Sequence, residues 1–213
     1  MIMEAVKKPL SIKIIYWTTS IAFWIFVVVA ILGTALVSAL MLNVFEGDLQ
    51  LHVGLPVGIN IVETGILDLD LSSKYIDVQF TEMVGKIQFK DTPADLGRIY
   101  GGFMLIILGI FLYIFIIFRR FITNVYNGVY FDLDNIALLK RISYALVLVW
   151  GFTVFYSYFQ YFYIAQNLQF NSIVITNDVQ TYSEILVGAL FIWVLSHIFM
   201  KGCELQDEHN YTV

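Results

Sequence analysis

The sequence predicts an integral membrane α-helical protein, with four transmembrane helices and a small extracytoplasmic β unit between helices 1 and 2. Three observations carry that prediction: a charge-poor composition, four long stretches without charge, and period-two alternation between the first two of them. Of the 213 residues, 59% are hydrophobic and 14% charged, whereas soluble domains have about 45–50% and about 25%. Mean hydropathy is +0.78. The net charge of −5 offers phosphates no basic face, which excludes a nucleic-acid-binding domain. The single cysteine, Cys203, cannot close an intrachain disulfide.

The charge-free stretches place the helices. Lys13 to Glu46 encloses 32 uncharged residues, Arg98 to Arg119 encloses 20, Arg141 to Asp178 encloses 36, and Glu184 to Lys201 encloses 16. About 20 apolar residues cross a hydrocarbon core of about 30 Å, and in lipid the backbone must satisfy itself as helix. The spacing predicts helices near 15–43, 99–119, 142–165 and 182–203 within one membrane domain over 1–213. The fourth is short, and Val179–Ser183 and Gly202–Cys203 are expected to lengthen it. The first is about twice the usual signal-peptide core, so it reads as a signal anchor.

Lys and Arg set the orientation. Lys7, Lys8, Lys13, Arg119, Arg120, Lys140, Arg141 and Lys201 fall on the side of the N-terminus, eight of twelve. The positive-inside rule therefore expects both termini in the cytoplasm. Residues 43–98 carry nine carboxylates against four bases on the other side. The aromatic run from Phe155 to Tyr163 fits an interfacial belt, with a ligand-stacking surface as the sharper alternative.

Within 44–98, Leu49, Leu51 and Val53 alternate with polar or small neighbours, as do Leu67, Leu69 and Leu71, then Ile76, Val78 and Phe80, then Ile87 and Phe89. Such alternation predicts half-buried strands. Gly54, Pro56, Gly58, Gly65, Gly85 and Pro93 are expected at the turns. The second outer segment, 166–181, is expected to add a strand to the same sheet. Asp68/Asp70 and Asp91/Asp95 lack the oxygen count of a Ca²⁺ loop. His197, Cys203 and His209 lack metal-ligand spacing, so no metal site is expected.

Between helices 2 and 3, Asn127-Gly128 ends a helix, with Gly128 in the left-handed position. Asp132 is expected to cap the next helix, and Phe131 to pack on Ile136 as a hydrophobic staple. The result is a membrane re-entry elbow. Gly128, Phe131, Asn135, Leu139 and Ile142 fit a Gly-x-x-Phe-Ser-x-x-Asn-x-x-x-Leu-x-x-Ile pattern, with Asp132 in place of Ser. Gly202, Leu205, Glu208, Thr212 and Val213 fit a C-terminal Gly-x-x-Leu-x-x-Glu-Asn-Asp-Leu-Thr-Val pattern, from which His209, Asn210 and Tyr211 depart. In these two stretches the chain resembles a bacterial four-span membrane family known as domain of unknown function 2975. The resemblance implies a bacterial inner-membrane location. Through frequent gene neighbourhood it also implies a small cytoplasmic helix-turn-helix regulator as partner.

No catalytic signature accompanies the spans. The sequence has no HExxH, GxSxG or phosphate-binding loop. No Asp, Glu, Lys or Arg lies within the central spans, where such groups mark enzymes and carriers. Gly101, Gly102, Gly109, Ala35 and Ala39 are expected at close helix contacts. The expectation is a non-enzymatic protein without cofactor, sensor or regulatory in role, with an accessory subunit of a larger membrane complex as the alternative. Asp132, Asn135, Glu208, Thr212 and Val213 are the candidate partner-binding residues, on an elbow and tail expected to lie together. A loop and tail that meet only each other remain the structural alternative.

Overall fold

The structure, a computed structural model, describes residues 9–42, 44, 54–69, 74–88, 93–168, 174–176 and 181–211. Four long helices organise it: α1 (Leu10–Met41), α2 (Ala94–Tyr126), α3 (Leu133–Phe159) and α4 (Glu184–Tyr211). A π turn, Gln160–Ile164, and a 3-10 turn, Ala165–Asn167, continue α3. Each of the four is long and apolar enough to cross a membrane. All four are longer than the predicted helices 15–43, 99–119, 142–165 and 182–203, because helical hydrogen bonding continues past the hydrocarbon once it is nucleated.

The helices pack in chain order, α1 on α2, α2 on α3 and α3 on α4. On α1 the buried residues are Thr19, Phe23, Ala30 and Val37, and the seven-residue spacing of the last three marks one narrow seam. Phe23 and Phe26 meet Phe115 edge-on along it. Tyr16 stacks on Tyr126 at one end, with ring centroids 4.2 Å apart. At the other end Gly101 lets α2 approach Met41 so closely that an added Cβ would lie 2.6 Å from its Cγ. Gly101 is thus a close-packing glycine. Gly102 and Gly109 are not, since a Cβ there meets nothing within 4 Å, and Ala35 is exposed.

The sequence leaves the partner of the short fourth span open, and the structure supplies it. Ser143 Oγ donates to the Ala189 carbonyl at 2.8 Å, fixing α4 antiparallel on α3. Counting outward from that bond, Glu184 starts about level with Leu148. α4 therefore covers the elbow half of α3, and its extra length runs toward Tyr211 instead of into 182–183. The half of α3 away from the elbow packs on α2 through Tyr100 and Phe103 against Phe152, Tyr156 and Phe159. The aromatic run is accordingly split: Tyr156 and Phe159 pack inward, while Phe155, Tyr158, Phe162 and Tyr163 are exposed.

Between α1 and α2 the chain forms a hairpin of β1 (Gly54–Leu69) and β2 (Lys74–Gln88). The short β3 (Val174–Thr176), from the α3–α4 connection, completes a sheet of order β2-β1-β3. All pairings are antiparallel. The register shifts between Asn60 and Glu63, which opposes two β1 residues to one on β2, a bulge. By that register positions 65, 67 and 69 share a face with 76, 78 and 80. Positions 55, 57 and 59 share the opposite face with 83, 85 and 87. The bulge thus lies where the apolar positions change face. Ile59, paired with both Met83 and Ile175, is buried.

The turn assignments need correction. Gly54, Pro56, Gly58, Gly65 and Gly85 lie inside β1 and β2, because the alternation runs through them and the reversal comes only after Leu69. Pro93 instead stands at the start of α2. The run at Leu49–Val53, together with Leu71, Phe89 and Asp91, lies outside the described residues.

Candidate functional site: the elbow and the end of α4

Local backbone chemistry builds the elbow. α2 stops at Asn127, and Gly128 takes φ +86°, a conformation that disfavours any Cβ. The Gly128 N–H donates to the Val125 carbonyl at 3.1 Å and the Val129 N–H to the Asn124 carbonyl at 3.0 Å. These two bonds make a Schellman terminus and satisfy carbonyls the helix end would orphan.

Asp132 occupies the N-cap position of α3 with extended backbone, φ −147° and ψ 145°, but its carboxylate makes no capping hydrogen bond. Only its carbonyl takes part, accepting from the Ile136 N–H at 3.2 Å. Asn135 holds the turn instead. Its Nδ2 donates to the carbonyls of Val129 at 2.7 Å and Tyr130 at 3.2 Å, and its Oδ1 accepts from Asn124 Nδ2 at 2.8 Å. Asn135 is fully buried, so these bonds form where water cannot replace them.

Phe131 makes a contact that reaches beyond the elbow. Its ring lies against α4, sitting 5.5 Å from the Phe199 ring and directly over Gly202. A Cβ on Gly202 would lie 2.5 Å from two carbons of that ring. Beneath this contact Ile117, Leu138 and Ile142 form a buried cluster with Ile114, Phe121, Leu146 and Ile192 packed against it. Elbow and α4 are thus joined by a ring seated on a glycine above a three-helix core.

Gly128, Val129, Tyr130, Phe131, Asp132, Gly202 and Gln206 line a cavity of about 590 Å³ between the elbow and α4. The candidate residues fall differently around it. Asp132 lines it; Asn135 lies beneath, holding the turn; Glu208 is exposed on the last turns of α4. Thr212 and Val213 lie outside the described residues. Sequence alone does not mark Gly202, Gln206 or Tyr130 as site residues. The one sequence signal for Gly202 was its place in the C-terminal pattern, inside a helix where alanine would be favoured. Lys201 and Glu204 form an exposed ion pair beside the cavity, a kind worth little in water. His197 Nδ1 lies 3.0 Å from the Trp193 carbonyl on its own helix.

Four spanning helices, an elbow clamped by a buried asparagine and a last helix docked on that elbow define a multi-pass membrane protein. The model of the family DUF2975, protein of unknown function, matches residues 84–213, and the chain belongs to that family. α1, β1 and most of β2 precede the matched residues. Comparison with curated proteins and with solved structures finds no match.

Proposed function

We propose that this chain is a non-enzymatic regulatory protein of the bacterial cytoplasmic membrane, with both termini inside. Its elbow and α4 end form one docking face for a small cytoplasmic DNA-binding regulator. The β unit stands on the opposite side as the surface that meets a signal. The observation that supports this reading is the cavity shared by the elbow and α4, with Phe131 seated on Gly202 at its edge. The seat ties the packing of α3 and α4 to the shape of the cavity. A change transmitted along those helices therefore alters what the cavity accepts.

Asp132, Gln206 and Glu208 are the groups offered to a partner, and Asn135 acts through them by holding the turn. The test is affinity purification of the full chain from native membranes in mild detergent, beside a variant lacking 206–213. The reading expects a small regulator to co-purify with the full chain and to be lost from a truncated protein that still inserts and melts normally. Stoichiometric large membrane proteins in its place would favour an accessory-subunit role. A truncation that unfolds the protein would make the tail a structural staple and end the docking proposal.

A further inference from the structure

A second groove runs along the membrane-embedded face between α2 and α3. Ile106, Gly109, Ile110, Tyr113, Arg141, Tyr144, Ala145 and Leu148 line about 510 Å³ there, within the range of small-ligand pockets, about 300–1,000 Å³. Its lining is apolar except at the elbow end, where Arg141 and the two tyrosines stand. From Arg141 to Leu148 the groove follows about 10 Å of α3.

Two features of this groove have no explanation within the protein. Arg141 is exposed and makes no ion pair or hydrogen bond among the described residues. Arg119 on α2, by contrast, has its guanidinium held over the Phe23 ring at 4.5 Å. Arg141 stands at the end of its span, where a basic residue without a protein partner is placed to meet an anionic headgroup. Gly109 is the second feature. It sits inside a helix, where glycine is unfavourable relative to alanine, yet a Cβ there would meet nothing within 4 Å. Its missing side chain keeps the groove open without serving the packing of α2 on any other element.

We propose that this groove binds an anionic phospholipid, with the phosphate on Arg141 and an acyl chain along Gly109, Ala145 and Leu148. Charge complementarity selects the headgroup, and the apolar groove leading away from the cation selects a lipid over a soluble phosphate. Basic pockets between spanning helices hold anionic headgroups in this manner.

The test uses the full chain in nanodiscs of equal phosphatidylglycerol and phosphatidylcholine, read by native mass spectrometry after release into detergent. Wild type is expected to retain phosphatidylglycerol about fivefold over phosphatidylcholine, the factor one cation confers near a surface. R141Q should bring the ratio to near one. G109L, which the open space tolerates, should do the same by blocking the acyl path. L148W closes the groove from α3 should G109L not fold. R120Q, an exposed cation outside the groove, should keep the fivefold preference. An equal loss in R120Q would mean a diffuse basic surface and overturn the site. So would a folded groove-filling variant with unchanged preference, a wild type that shows none, or a lipid-free dimer occupying the groove.

Discussion

Replacing Gly202 by alanine sets two effects of opposite sign against each other. Inside α4 the alanine gains about 0.5–1 kcal/mol of helix stability over glycine. Its Cβ, however, would sit 2.5 Å from two ring carbons of Phe131, so the ring must leave its seat or the helices must part. Overpacking of this kind costs about 1–3 kcal/mol. Losing the tilted Phe131–Phe199 ring contact adds about 0.5–1.5 kcal/mol. Phe131 is 49% exposed, so the ring swings away and the cost stays at the low end. G202A should therefore destabilise by about 1 kcal/mol.

The background decides the sign. In F131A the obstacle is gone, and G202A should stabilise by the helix gain alone, about 0.5–1 kcal/mol. The coupling between the two positions is then about 1.5–2 kcal/mol, well above the few tenths expected of independent sites. The assay is unfolding of all four proteins by sodium dodecyl sulfate in mixed micelles, with free energies taken by linear extrapolation. Additivity within about 0.5 kcal/mol would mean that the ring does not rest on Gly202, and the joined elbow and tail would lose their structural basis.

Asn135→Ala leaves the Asn124 amide and two elbow carbonyls without their buried partner. It should cost about 2–4 kcal/mol in the same assay, whereas Asp132→Ala, which removes no cap bond, should change stability by less than about 0.5 kcal/mol. In the β unit, positions 77 and 80 fall on opposite faces of β2. Phe80→Asp is expected to sensitise the hairpin to protease, by placing a charge at the apolar row, while Asp77→Asn is silent. Equal sensitivity of the two would mean that the alternation is misread.

What the sequence reveals and what it conceals divide along the range of the interactions. Charge-free stretches locate all four helices because the hydrocarbon acts on every residue of a span. Asn127-Gly128 marks the end of α2 because a Schellman terminus is made by neighbours in sequence. The alternation of Ile76, Val78 and Phe80 is equally local, and so is the change of parity before Ile87. The hairpin's glycines mislead because glycine inside a long strand carries the same letter as glycine in a turn.

Asp132 misleads for a different reason, and the Phe131 contact to α4 is concealed by its range. A side-chain cap is the local solution, but Asn135 secures the turn from within, and the seat of Phe131 on Gly202 joins residues about seventy positions apart. Among the residues that carry the family pattern, Gly128, Asn135, Leu139 and Ile142 serve the construction of the elbow. Asp132, where the pattern has Ser, is the charged residue among those lining the cavity. Gly109 is legible as a glycine but not as an opening, since sequence shows no empty space.

The central proposal is that the elbow and the end of α4 stand together on the cytoplasmic face, opposite the β unit. Cysteine-accessibility labelling tests it most directly, in a background where Cys203 is replaced and single cysteines are placed at 70, 88 and 130. Positions 70 and 88 should react with an impermeant maleimide in intact cells, and position 130 only after the membrane is opened. Labelling of position 130 from outside would invert the topology and remove the docking face from the side where a regulator could reach it.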